Sequence, residues 1–281
     1  MITETQVKMA FEYSCKLDVF SIKPGNVSYN NPGYNMTHKD FLQSSMACSD
    51  IICEKGMDIG TKIYESVKSS VDVVGCNTNL GIILLCTPIV QSLYLDEKHR
   101  FSRENLKKTI LDIDHKQTKK IYEAINIANA GGMGEKDEYD IKKSGNCNFK
   151  LYEAMKYASS YDDIANEYYC FFDNIINNLS PFWRICFNKM NNDESATTAT
   201  FLSLLSKRPD SLIARKYGVM KAKNVSEQVK SLANEYCELK NPKILNKKLL
   251  LLDSELKIQG LNPGTTADVV VASVFFNRLG L

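Results

Sequence analysis

Residues 241–260 read NPKILNKKLLLLDSELKIQG. Leu245, Leu249, Leu252 and Leu256 recur at i, i+4, i+7 and i+11, which puts them on one face of an α-helix. Asn241 and Pro242 supply an N-cap and a first-turn proline, and Gly260 a stop. The same period links Ile164, Tyr168, Phe172 and Ile175 in a helix expected over 161–178. There Ser160 and Asp163 have capping-box spacing, with Asp in place of Glu. Ser180-Pro181 and Arg208-Pro209 read as further helix starts, and Gly218 as a stop. The most apolar run, LGIILLCTPIV at 80–90, is shorter than the roughly 20 residues that cross a bilayer, so it reads as a buried helix. Val269–Phe276 is rich in β-branched residues and resembles a strand, but its place after a capping signal favours a buried helix. Alternating runs bounded by hairpin turns are missing. The expected fold class is therefore all-α, a single compact domain over 1–281 with about eleven or more helices. The polar, glycine-rich segment 131–149 reads as a long loop within that domain, because the helices on both sides carry apolar faces that need a common core.

Composition narrows the function. The 35 basic and 33 acidic residues nearly cancel, leaving +2, so no electrostatic case exists for nucleic acid as the main partner. Apolar residues make up 44%, enough for a core without metals or disulfides. Nine cysteines, an odd number and without CxxC spacing, suit a reducing cytoplasm and small apolar packing roles. The polar N-terminus, Met1 to Gln6, lacks the apolar core of a signal peptide.

Four loops join glycine or proline to polar residues just before helices. In Lys23-Pro24-Gly25-Asn26 a turn presents a lysine to a phosphate or carboxylate, or is only a turn. Gly75 to Gly81, reading GCNTNLG, opens the most apolar helix, and Asn77 and Thr78 there are either caps or ligand contacts at a helix N-terminus. Ala130-Gly131-Gly132-Met133-Gly134, with Asp137 and Asp140 after it, is neither a Walker A loop nor a dinucleotide fingerprint. It reads as a substrate loop or as a helix end followed by a turn. In Leu261 to Asp268, reading LNPGTTAD, Thr265 and Asp268 have capping-box spacing. Asp268 also leads a run of apolar residues, where a carboxylate could serve as a metal ligand or general base. Glu65, Asp162, Asp163 and Glu167 are further helical carboxylates, and the last two, four apart, could hold Mg²⁺ through oxygen. The histidines His38, His99 and His115 are dispersed and form no nucleophilic arrangement.

Taken in order, these segments resemble the triphosphoribosyl-dephospho-coenzyme A synthase family. The resemblance rests on Lys23-Pro24-Gly25, His38-Lys39-Asp40, Asn77-Thr78 with Gly81, and Gly131-Gly132-Met133-Gly134 with Asp140. It continues through Leu151 to Tyr168, Pro209 to Lys216, and Pro263 to Asp268. It implies an all-α enzyme that moves the triphosphoribosyl group of ATP to 3′-dephospho-coenzyme A and releases adenine. Such a reaction needs carboxylates near the sugar carbon, so Asp268, Asp162 and then Glu65 are candidate catalytic residues, and Asp162 and Asp268 would hold Mg²⁺. Lys23, Asn77, Thr78, Gly81, Gly132, Arg215 and Asn262 are candidate substrate contacts. The expected partners are a nucleotide and dephospho-coenzyme A, with a homodimer as an open assembly and neither nucleic acid nor membrane. Lyase-linked members read Asn-Thr-His-Lys-Gly where this chain has Asn77-Thr78-Asn79-Leu80-Gly81, the mark of a divergent branch. That departure keeps two alternatives open: a Mg²⁺-dependent hydrolase of a nucleotide or phosphorylated cofactor, and a non-catalytic nucleotide-binding helical protein.

Overall fold

The computed structural model describes residues 2–33, 36–132, 138–142 and 147–281. Among them are fourteen α-helices: α1 (Glu4–Phe20), α2 (His38–Cys53), α3 (Ile59–Val74), α4 (Leu80–Leu93), α5 (Arg103–Leu111), α6 (His115–Ile127), α7 (Leu151–Ala158), α8 (Asp163–Tyr169), α9 (Ser180–Met190), α10 (Asp193–Lys207), α11 (Ser211–Tyr217), α12 (Val219–Glu238), α13 (Asn246–Ile258) and α14 (Gly264–Arg278). The described residues contain one isolated β-bridge, Gly33 to Met36, and no strand, so the all-α expectation holds. No described helix is long and apolar enough to cross a membrane.

Beside a small cluster of Val19, Val27 and Phe41, two large apolar clusters make most of the core. One gathers Phe11, Ile63, Leu85 and Tyr168 from the helices before Ser180, and the other gathers Trp183, Phe201, Val229 and Leu249 from those after it. The last helix, α14, lies between them. Val271, Ala272 and Phe275 face the first cluster, while Ala267, Val270 and Val274 face the second. A strand would need alternation between two faces. Here positions 267, 270 and 274 share one side at helical spacing, and the helix reads apolar all round because both sides are covered. The β-branched run is thus a buried helix, as expected, although the cap that suggested it is not formed.

The other apolar run, α4, carries Pro88 inside it. Proline has no N–H, so the carbonyl of Leu84 loses its helical partner. The Tyr168 hydroxyl donates to that carbonyl at 2.7 Å, which fastens α8 to α4.

The helix expected over 161–178 is interrupted. Asp162, two residues later than the anticipated Ser160, caps α8 by accepting from Ala165 N at 2.9 Å. After Tyr169 the chain leaves the helix, with Phe171 and Phe172 at positive φ, and resumes as a π-turn over Ile175–Leu179 that runs into α9. The break follows from tertiary contacts. Phe172 is fully buried in the first core, and the Glu167 carboxylate accepts from Asn174 Nδ2 (3.0 Å) and Ile175 N (3.4 Å) across the gap. At 241–245 the chain starts as a 3₁₀ turn, Pro242–Leu245, with no side-chain cap from Asn241.

Candidate functional site

The Lys-Pro-Gly turn leaves α1 with Gly25 at φ +85°, a left-handed conformation. A side chain there would press 2.9 Å from Pro263 Cδ and 3.2 Å from Leu256 Cβ, so the turn sits directly on α13 and the loop before α14. Asp253 of α13 holds it there, accepting from Gly25 N (2.8 Å), Asn31 Nδ2 (2.6 Å) and Lys257 Nζ (2.9 Å). The consequence is a buried polar chain. Lys23, 1% exposed, pairs with Asp18 at the end of α1 and donates to Asn26 Oδ1 at 2.6 Å. Asn26 in turn donates to Asn262 Oδ1 at 2.9 Å. The Lys23 ammonium is therefore enclosed, while Asp18, Asn26 and Asn262 line a cleft of ≈ 460 Å³.

The N-terminus of α4 forms one wall of that cleft, with Asn77, Thr78, Leu80 and Gly81 on its lining. Asn77 Oδ1 accepts from Leu80 N at 3.4 Å, a loose cap. Thr78 donates to Ser44 Oγ (2.7 Å), and the buried Asn79 amide donates to Phe41 O (3.2 Å) and Ser44 Oγ (2.9 Å). Gly81 faces Asp268. A Cβ on Gly81 would lie 2.6 Å from Asp268 Cγ, so the glycine is the space in which that carboxylate sits. Asp268 lies inside α14, whose first turn has no side-chain cap, so the capping reading of Thr265 and Asp268 does not apply. The anion at that helix end is the buried Asp210. It accepts from Thr266 N and Oγ1 (2.8 Å each) and from Ile213 N (3.0 Å), joining α11 to α14. Burial, and then the nearby charge of Asp18, push the Asp268 carboxyl well above the usual carboxylate range, against the opposing pull of Lys23 and Arg215.

The opposite rim is cationic. Arg215 and Lys216 end α11, and both line the cleft. Gly131 and Gly132 lie over them: a Cβ on Gly131 would meet Lys216 Nζ at 2.8 Å, and one on Gly132 would meet Arg215 Cβ at 3.1 Å. Met133, Gly134 and Asp137 of the same loop are outside the described residues. Arg215 pairs with Asp162 Oδ2, whose other oxygen caps α8, and the Arg215 Nε is buried without a partner among the described residues.

Arg215, Leu80, Asn129, Ala130 and Ile164 also border a second cavity of ≈ 210 Å³, largely apolar, which holds Asp162 on its lining. The structure thus brings Asn77, Thr78, Gly81, Arg215, Asn262 and Asp268 to one cleft, with Lys23 beneath its floor and Gly132 behind its rim. Asp162 opens onto the neighbouring cavity, and Glu65, in α3, lines neither. Asp163 and Glu167 share a small recess with Arg208, which pairs with Asp163 at 2.5 Å. Burial raises these two carboxyls to about 6 and about 7. No group of three or more metal-ligating side chains occurs among the described residues. Sequence reasoning passed over Asp18. The available signal was an acidic residue on the buried side of an apolar helix end, CKLDVF, five positions before the lysine it pairs with.

A floor of carboxylates and amides beneath a cationic rim, set on helix ends and the loops between them, has the chemistry to take a phosphorylated, hydroxyl-bearing molecule. The family model of ATP:dephospho-CoA triphosphoribosyl transferase (CitG) matches residues 4–281. The chain belongs to that family and is an enzyme, a nucleotide-dependent transferase of the triphosphoribosyl type. A solved structure from Archaeoglobus fulgidus, provisionally assigned as a triphosphoribosyl-dephospho-CoA synthase, is similar with a TM-score of 0.63 and 25% identity, over 83% of this chain and 96% of that one. Among curated proteins none matches the chain significantly.

Proposed function

We propose that this chain transfers the triphosphoribosyl group of ATP to dephospho-coenzyme A at the cleft floored by Asp18 and Asp268. The observation that carries the reading is the Asp268 carboxylate, seated against Gly81 and next to the charge of Asp18, with Arg215 and Lys216 across the opening. Cleaving a ribose–adenine bond builds positive charge on the sugar, and paired carboxylates stabilise it. As the C1′–N bond breaks, an acceptor hydroxyl oxygen bonds to C1′. Asp268 takes the hydroxyl proton, and the departing base receives a proton in turn. A carboxyl raised above its ordinary range suits that exchange better than a strong acid would. Asn26 and Asn262 offer amides to ribose hydroxyls, while Asn77, Thr78 and the α4 N-terminus, with Arg215 and Lys216, face the triphosphate. Mg²⁺ fits this donor set, because magnesium commonly takes one or two carboxylates together with substrate phosphates. Asp18 and Asp268 would hold it, and it would neutralise phosphate charge. Asp162, whose two oxygens already serve Ala165 N and Arg215, we assign to aiming the guanidinium.

Nine free cysteines support a reducing compartment, and we place the enzyme in the cytoplasm. The test is chromatography of adenine released from ATP, with and without dephospho-coenzyme A and with and without Mg²⁺. Release that needs the acceptor supports transfer. Release without any acceptor would replace the reading by hydrolysis, and an Asp268→Asn variant with undiminished release would remove the carboxylate from the mechanism.

A further inference from the structure

The second cavity holds neither Asp18, Asp268 nor Lys216, yet it opens beside them. Ile164 marks the junction. It lines both spaces, and its Cδ1 would stand 2.9 Å from a Cβ on Gly81, the residue against which Asp268 sits. The walls are mostly aliphatic, with Leu84, Ile125 and Met155, and aromatic, with Tyr122, Tyr139, Tyr157 and Tyr161, and Asn126, Asn129, Asp140, Lys142, Asp162 and Arg215 supply the polar part of the lining. The rings of Tyr139 and Tyr157 are 5.5 Å apart between centroids and those of Tyr157 and Tyr161 6.4 Å, so they form a chain along one side. Tyr122 donates to Tyr139 O at 2.9 Å, which fixes the deeper end. Tyr157, in the middle of that chain, remains 40% exposed.

Resting on the transferase reading above, we infer that this cavity is the base subsite, receiving the adenine ring of ATP and holding it after the C1′–N bond breaks. The base is bonded directly to the carbon under attack, so it must occupy space adjoining the Asp268 carboxylate. Of the two spaces there, the polar cleft with its cations suits the triphosphate, and the tyrosine-lined cavity suits a flat π-system. The pantetheine arm of dephospho-coenzyme A is the other occupant to weigh. Its amides would lose water in a mainly apolar cavity and gain little from ring faces. A purine stacks on exposed tyrosine and presents its polar edge to the Asn129 lip.

Calorimetry with three probes, free adenine, pantetheine and inorganic tripolyphosphate, tests the assignment on the wild type, Tyr157→Ala and the cavity-filling Ala154→Phe. Loss of one stacking face should weaken adenine binding roughly 10-fold and raise the KM for ATP by a similar factor, with tripolyphosphate affinity unchanged. Adenine binding equally to all three proteins, or not at all to the wild type, overturns the assignment. So does a loss confined to pantetheine. Because adenine binding is read without turnover, the two readings fail separately. A protein that binds adenine through Tyr157 but releases none from ATP would uphold the subsite and overturn the transferase.

Discussion

A methyl group on Gly81 would stand 2.6 Å from Asp268 Cγ and 2.9 Å from Ile164 Cδ1, closer than carbon atoms pack. Gly81→Ala must therefore displace the carboxylate or shift α4 against α14, at a cost of about 1–3 kcal/mol for overpacking. The expected outcome is a fall in the rate of adenine release well beyond the change in melting temperature, and kinetics like those of the wild type would detach Gly81 from the site. At this scale the sequence was a partial guide. Asn77, Gly81 and Asp268 stood out because each breaks the polarity of its surroundings. Asp18 did not, because only the fold shows that its side of α1 faces the cleft.

Between α8 and α9 the helix breaks where the apolar period predicts continuity. The period was correct about what is buried, since Tyr168, Phe172 and Ile175 are all core. It could not show the reversal at Phe171 and Phe172, which neither glycine nor proline announces and which depends on contacts distant in sequence. Glu167 sits across this break, and burial raises its carboxyl to about 7, against hydrogen bonds from Asn174 and Ile175 that favour the anion. A folded-state value above the unfolded one means that the folded chain binds the proton more tightly. The resulting stabilisation is complete below the ordinary glutamate range and is lost as pH rises through about 7. Denaturant melts at about pH 5 and about pH 8 should differ in that direction. Glu167→Gln should flatten the dependence by on the order of 3 kcal/mol, the worth of the shift. An unchanged pH dependence in the variant would place the sensitive group elsewhere, Asp163 first.

Across the whole molecule, the all-α class was legible because helical period, caps and stops agree from end to end. The convergence of the cleft was not, because its lining comes from α1, α2, α3, α4, α6, α8, α11 and α14 and the loops between them, and no local pattern encodes which helix ends meet. The centre of the fold was legible in one respect: Val269–Phe276 has no polar face, so both its sides had to be covered. That helix also bears on how many units the chain has. We propose one, because α14 carries Val271 and Phe275 into one core and Val270 and Val274 into the other, so neither cluster keeps its packing without it. The lone tryptophan, Trp183, lies in the second cluster and reports on that side alone, whereas far-UV circular dichroism averages over all the helices. One cooperative unit requires the two signals to trace a single denaturation curve. Val270→Ala opens a void on the second face only and should destabilise by about 1–3 kcal/mol. In a shared unit both curves move together by that amount. If tryptophan fluorescence shifted while most of the helical signal stayed in place, the chain would consist of two units joined at α14, and the cleft, which draws Asp18 from one side and Asn262 from the other, would lie across their boundary.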